Sequence, residues 1–210
     1  GLVMFFCPAV VFLGLFAASK LGLTTSRVQV PLSHVAIDGE EIPIPLQGKV
    51  TEGKGWVLRN SKGQYTLTLD GLKAGSLERK TPALEIQGDL TLVLKKGTES
   101  ELLSADAALK KGAGTLTIRG EGSLRLQGET ALEGEWKEET LNQDEPSALR
   151  IEGGKLVFTG EETALYEDTV ELAGGEIQIQ CLNGKGTGIR AHTLDDRHFS
   201  GSLEMEESEE

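Results

Sequence analysis

The segment GIRAHTLDDRHF (188–199) gathers the residue types that could support chemistry. Clustered carboxylates can hold Ca²⁺, and a basic side chain beside them can remove a proton from a carbon next to a carboxylate. Asp195 and Asp196 are therefore candidate metal ligands, and Asp106 is a further candidate elsewhere in the chain. Adjacent side chains on a strand point to opposite faces, and Ca²⁺ needs about six oxygen ligands, so no catalytic residue is assigned.

A second candidate region is the strongly acidic segment ETALEGEWKEETLNQDEPSA (129–148), which carries Trp136. It lacks the alternating Asp/Asn–Gly pattern of calcium loops, so we expect a protruding, solvated loop. An aromatic side chain in such a loop can stack on a sugar ring or anchor a partner, or it can fold back on the protein as a lid. Both interpretations stay open, and Trp136 and Tyr166 are the candidate carbohydrate contacts.

Short strands closed by glycine recur in pairs along the chain, and they must position these side chains. Within each strand, apolar residues alternate with polar ones, as expected when one face is buried. The pairs begin at Leu84, Leu116, Leu149 and Val170. A repeated strand–glycine bend–strand unit predicts an all-β, coiled β-solenoid. Leu, Ile and Val would face inward, and Thr, Lys, Glu and Gln would face water.

The composition agrees with such a fold and limits the function. The 210 residues include 27 glycines and only 5% aromatic residues, which suits many tight turns around an aliphatic core. The net charge of −12 argues against nucleic acid as a partner, because phosphates need a basic surface. Cys7 and Cys181 show neither zinc spacing nor a disulfide framework, and Cys181 is expected to be a small core residue.

The N-terminus is apolar, with an uncharged run LVMFFCPAVVFLGLFAAS over residues 2–19. This length is sufficient for a helix that crosses a bilayer, which would make the membrane a partner. Small residues near the end of the run also fit a signal peptide. Either interpretation predicts a protein that is membrane-anchored or secreted, with its acidic part outside the cytoplasm.

Other segments refine the organisation. Residues 55–76 predict a hairpin with its turn at Asn60–Gly63, leading into the first coil. Residues 98–113 predict a short helix, and residues 184–193 predict one further coil. The resulting boundaries are a transmembrane anchor or signal peptide (1–23), a linker with N-terminal cap strands (24–54), the β-solenoid domain (55–199) and an acidic, disordered tail (200–210).

Several phrases of this chain resemble a family of bacterial, clostridial-type secreted carbohydrate-binding domains. The phrases are GWVLRNSKGQYTLTLDGL, ALEIQGDLTLVLKKGTES, GTLTIRGEGSLRLQG, LRIEGGKLVF and VELAGGEIQIQ, in this order within residues 55–193. The resemblance implies a right-handed parallel β-helix of the pectate-lyase type, exported and held at the cell surface. It further implies binding of acidic polysaccharide, such as polygalacturonate, with calcium.

Three functional hypotheses follow. The first is non-catalytic binding of a polysaccharide. The second is a structural surface spacer or adhesin-like module without a small ligand. The third, a polysaccharide lyase, has the least support, because no group of convergent carboxylates with an arginine is evident. Sequence signatures of phosphate-binding loops, serine hydrolases and zinc proteases are also missing from the chain.

Overall fold

The structure is a computed structural model that describes residues 28–136 and 147–207. In this part of the chain there is no helix, and 17 strands join in one sheet that coils into a solenoid of about five turns. The helix predicted for residues 1–23 lies outside the described residues. Within the described residues, no helix has the length and apolar character needed to cross a membrane.

The strands follow one another in chain order as β1 (His34–Ile37), β2 (Glu40–Glu41), β3 (Val50–Gly53), β4 (Trp56–Ser61), β5 (Gln64–Leu69), β6 (Lys73–Ser76), β7 (Leu84–Gln87), β8 (Leu90–Leu94), β9 (Glu99–Ser104), β10 (Ala107–Lys111), β11 (Gly114–Gly120), β12 (Ser123–Glu133), β13 (Ser147–Ile151), β14 (Lys155–Leu172), β15 (Glu176–Cys181), β16 (Thr187–Asp195) and β17 (Ser202–Glu207). The long strands β12, β14 and β16 bend at corners of the solenoid, so each contributes to more than one face. From β5 onward, neighbouring turns pair in parallel.

Each turn contributes to three faces. The first face consists of β5, β8, β11, β13 and the final parts of β14 and β16. The second face consists of β6, β9, the first parts of β12 and β14, β15 and β17. The third face consists of β7, β10, the end of β12, the middle of β14 and the start of β16.

The core is a set of aliphatic ladders, because residues in register on successive turns point inward together. On the first face the ladder is Leu90, Leu116, Leu149, Val170 and Leu194. On the second face it is Ala74, Leu102, Leu126, Phe158, Ile179 and Met205. On the third face it is Leu84, Leu109, Leu132, Leu165 and Ile189. Most of these side chains are fully buried, which confirms the predicted inward orientation.

The predicted two-strand repeat missed the third strand of each turn. The strand pair predicted over residues 83–97 consists of a third-face strand followed by a first-face strand. Each later pair consists of a first-face strand followed by a second-face strand. The third-face strand β10 does not alternate, since Ala107, Ala108 and Leu109 are all buried. A period-two pattern therefore could not reveal it.

The short helix predicted for residues 98–113 is wrong. The segment forms β9 and β10, which lie on the second and third faces. Ser100, Leu102 and Ser104 are buried alternately, and the chain then turns a corner before Ala107. Two short strands that meet at a corner can space their apolar residues as a helix does. Pairing in register with the neighbouring turns determines the extended conformation here.

The acidic segments also differ in part from their predictions. Of the segment expected to be a loop (129–148), residues 129–133 belong to β12, residues 147–148 belong to β13, and residues 137–146 lie outside the described residues. The tail, expected to be disordered, forms β17 against the open edge of β15. The side-chain amides of Gln178 and Gln180 donate to the Glu206 carboxylate at 2.7 and 2.8 Å. Pairing with the open edge of β15 thus stabilises a strand here despite the negative charge of the segment.

The N-terminal part forms a cap of antiparallel strands. β1 pairs with β7, and β3, β4 and β5 form a meander. The predicted hairpin turn is confirmed: Lys62 and Gly63 have φ of 54° and 78°, and the Gly63 N–H donates to the Asn60 side chain at 3.1 Å. Trp56 packs partly buried against the core. The predicted further coil at residues 184–193 is present as β16.

Replacing Leu116 with Asp should destabilise the protein by roughly 3–5 kcal/mol, because it places an unpaired carboxylate in a fully buried ladder position. Thermal unfolding followed by circular dichroism is the measurement. Arg119→Asp on the same strand is the matched control, since Arg119 is exposed, and it should change the stability by no more than about 0.5 kcal/mol. Equal effects of the two variants would contradict the inward assignment.

Candidate functional site

The third face carries an exposed column of polar and aromatic side chains. In register from turn to turn, this column contains Glu85, Lys110, Glu133, Tyr166 and Arg190. Tyr166 and Arg190 are adjacent because TALYEDTVE (163–171) and TGIRAHTLD (187–195) are successive copies of one strand-and-corner unit, paired in parallel. The unit brings residues that are 24 positions apart into contact.

Trp136, just beyond the end of β12, lies against this column. Its ring is centred 5.1 Å from the Tyr166 ring, with an interplanar angle of 30°, and 3.6 Å from the His192 ring. The Arg190 guanidinium carbon lies 5.2 Å from the Trp136 ring centre and 5.5 Å from that of Tyr166, within the range of cation–π attraction. We call Trp136, Tyr166, Arg190 and His192 the aromatic platform.

Asp168 orients the histidine of the platform. The Nδ1 atom of His192 lies 2.7 Å from Asp168 Oδ1, so a protonated Nδ1 donates to this carboxylate. The two residues occupy equivalent positions in the repeated unit, 24 positions apart. The side chains are partly exposed, at 35% for His192 and 23% for Asp168. The histidine ring therefore has a fixed plane beside Trp136.

The platform combines groups that suit a sugar ligand with a negative charge. Partly exposed aromatic rings offer flat apolar surface, against which the C–H face of a pyranose ring can stack. A guanidinium held over aromatic rings offers a planar fork of donors for a carboxylate. Among the described residues, Arg190 makes no ion pair, so its donors remain directed to solvent or to a ligand.

A buried ion pair lies directly beneath the platform. Lys111 Nζ donates to Glu167 Oε2 at 2.6 Å, and the two side chains are 1% and 0% exposed. Ser147 donates its hydroxyl proton to Glu167 Oε1 at 2.7 Å and accepts from Lys111 Nζ at 2.9 Å. Lys111 also donates to the carbonyl of Gly112 at 3.1 Å. Every charged atom of the pair is thus hydrogen-bonded, as burial requires.

Burial perturbs both ionisable groups. Desolvation lowers the pKa of the Lys111 ammonium and raises the pKa of the Glu167 carboxylate, and the attraction between the two groups opposes both shifts. Glu135, just before Trp136, also favours the charged lysine. Because each partner compensates the other, removal of only one leaves an unpaired charge in the interior.

Lys111 and Glu167 come from different turns, and Gly134 lies in the turn between them. Lys111, Gly134 and Glu167 follow Lys110, Glu133 and Tyr166, which are in register, so they occupy the same corner of successive turns. A Cβ atom at Gly134 would lie 2.2 Å from Glu167 Oε2, so only glycine leaves room for the lysine to reach across one turn. Gly134 directly follows β12, and Ser147 is the first residue of β13.

The candidate metal ligands are not brought together. Both carboxylate oxygens of Asp195 accept from Arg197, at 2.9 and 2.6 Å, and these bonds lower the pKa of Asp195 to about 2. Asp196 is exposed, and Asp106 lies at the corner between β9 and β10. Within residues 28–136 and 147–207, no three His, Cys, Asp or Glu side chains are grouped so as to hold a metal ion.

The two candidate carbohydrate contacts, in contrast, are neighbours. Trp136 packs on the solenoid and yet keeps part of its surface exposed, so it has features of both interpretations left open by the sequence. Arg190 and His192 were noted in the sequence only as part of a charged segment, and Asp168, Lys111 and Glu167 were missed. The nine-residue repeat at 163–171 and 187–195 is the signal that could have placed Arg190 beside Tyr166.

The described residues thus form an all-β solenoid with two neighbouring, partly exposed aromatic side chains, Trp136 and Tyr166. The family model described as "Carbohydrate-binding domain-containing protein" matches residues 33–208, and the chain belongs to this family. The match includes the cap strands and β17 as well as the solenoid turns. No curated protein and no solved structure shows significant similarity to the chain.

Arg197→Ala should return the pKa of Asp195 from about 2 towards 3.8, because the arginine supplies the hydrogen bonds that favour the ionised form. Carboxyl ¹³C NMR during an acid titration measures this. Since the folded-state pKa lies below that of the unfolded chain, the pair contributes stability above pH 3.8 that is lost as the pH falls towards 2. An Asp195 pKa near 4 in the unmodified protein would contradict its pairing with Arg197.

Lys111→Met and Glu167→Met should each cost about 3–5 kcal/mol of folding free energy, since each leaves the other charge buried alone. The double variant should be more stable than either single variant by at least about 2 kcal/mol, although the Ser147 hydroxyl and the Asp168 N–H lose an acceptor. Urea unfolding of the four proteins gives the coupling energy. Additive losses would exclude a direct charge pair.

Proposed function

We propose that this protein binds polysaccharide without catalysis, and that the aromatic platform is its ligand site. Membership of a carbohydrate-binding family supports the class of ligand. The observation that carries the location is the placement of Trp136 and Tyr166 side by side, 5.1 Å apart, on an exposed face. Aromatic anchors of this kind commonly supply most of the binding energy at a recognition site.

The ligand we propose is an acidic polysaccharide such as polygalacturonate. Arg190 lies over both rings, so a carboxylate of a sugar stacked on the platform would meet the guanidinium. His192, fixed by Asp168, adds a polar ring at the edge of the same surface. A neutral polysaccharide could stack equally well but would leave Arg190 without a partner, so acidic polymers should be preferred.

Calcium dependence is a further part of this proposal. The described residues contain no cluster of metal ligands, so a calcium ion at this surface would need further oxygens, such as polysaccharide carboxylates. Asp195, Asp196 and Asp106 remain candidates only for single contacts to such an ion. The proposed location is extracellular, either secreted or anchored to the membrane through the apolar N-terminal run, which lies outside the described residues.

Trp136→Ala and Tyr166→Ala should each weaken binding to polygalacturonate by at least about tenfold, because each removes one stacking surface. Isothermal titration calorimetry with calcium and with a chelator measures the affinity and its metal dependence. Trp56→Phe is the control, since Trp56 packs in the N-terminal cap, and it should bind like the parent protein. Arg190→Gln should lower the preference for acidic over neutral polymers.

The binding proposal fails if the parent protein retains no polysaccharide, acidic or neutral, with calcium or without it. The structural spacer suggested by the sequence would then be the better interpretation. If polysaccharide binds but the platform variants bind like the parent, the ligand site lies elsewhere on the solenoid. Depolymerisation of the polysaccharide during the titration would instead support the lyase hypothesis.

A further inference from the structure

Several residues at the buried ion pair are close neighbours in the chain of the residues that form the aromatic platform. Glu167 lies between Tyr166 and Asp168 in the chain. Tyr166 belongs to the platform, and Asp168 holds the platform residue His192. Gly134 packs on the Glu167 carboxylate and is separated from Trp136 by a single residue. The charged network therefore lies at the junction of the two chain segments that form the site.

Hydrogen bonds connect the network to both segments. Besides Lys111 and Ser147, the Glu167 carboxylate accepts the backbone N–H of Asp168 at 2.8 Å, and Asp168 in turn holds His192. On the other side, the Gly134 N–H donates to the Tyr166 carbonyl at 2.6 Å. The chain that leads to Trp136 and the strand that carries Tyr166 are thus fixed relative to each other.

The network also fixes the start of β13. Ser147 is the first residue of β13, and its hydroxyl group bonds both charged partners. The network therefore contacts both Gly134, just beyond β12, and Ser147, at the start of β13.

We propose that Glu167, paired with Lys111 and Ser147, is a positioning residue that holds Trp136 and His192 in the geometry needed to bind a sugar. This inference rests on the proposed function for its ligand, although the positioning of Trp136 can be measured without one. Buried ion pairs contribute little net stability compared with apolar residues of similar volume. The functional contribution of the pair is therefore the alignment of the platform.

The test uses two double variants that differ at one position, K111M/E167M and K111M/E167Q, both in a Trp56→Phe background. The chain has two tryptophans, so fluorescence then reports Trp136 alone. Glutamine keeps a carbonyl oxygen that can accept from Asp168 N–H and Ser147 Oγ, whereas methionine cannot accept either bond. The readouts are Trp136 emission, its quenching by acrylamide, and affinity for polygalacturonate.

We expect K111M/E167M to show red-shifted, more easily quenched Trp136 emission and roughly tenfold weaker polysaccharide binding, through loss of the bonds made by Glu167. K111M/E167Q should remain close to the parent in all three readouts. A purely structural role predicts parent-like emission and affinity for every double variant that folds, and this result would overturn the proposal.

Two further outcomes are decisive. If neither double variant folds, Ser147→Ala removes one bond to Glu167 with no change of charge, and it should shift Trp136 emission and affinity in the same direction; no shift overturns the proposal. If Trp136 emission changes as expected but no protein, the parent included, binds polysaccharide, the positioning role stands and the proposed ligand is wrong.

Discussion

Register between successive turns is the constraint on which the other features of this structure depend. Each strand bonds to the equivalent strand of the next turn, so a residue's position within one turn determines its neighbours in the turns on both sides. Inward positions become the aliphatic ladders, such as Leu84, Leu109 and Leu132 on the third face. Outward positions become columns, and the contact between Tyr166 and Arg190 is a consequence of this register.

The repetition of the solenoid is broken at one corner. Lys111, Gly134 and Glu167 occupy equivalent positions in three turns, yet they are a base, a glycine and an acid. The glycine removes the side chain that would separate the other two. A buried charge pair thus replaces the apolar ladder at this corner, next to the partly exposed rings of Trp136 and Tyr166.

The sequence predicted the solenoid because alternation and glycine bends are local properties. It predicted the inward faces of Leu116 and Ile118, and the hairpin before the first coil, for the same reason. It did not predict the third face, where β10 buries three consecutive residues, or β17, whose partner is 26 residues away in the chain. Pairing with a distant turn overrides local composition in both segments.

The site was accessible to sequence reasoning only in part. Trp136 and Tyr166 could be named from residue type, since aromatic side chains are rare in this chain. The role of Lys111 could not, because a lysine next to another lysine before glycine is typical of an exposed turn. Its burial depends on Gly134 and Glu167, which are distant in sequence, and on a register that only the folded chain establishes.

The strong negative charge of the chain restricts how an acidic polysaccharide could bind. At a net charge of −12, long-range attraction to a polyanion is absent, so recognition must rest on contacts at short distance. Arg190, stacked on two rings at 5.2 and 5.5 Å, offers such a contact.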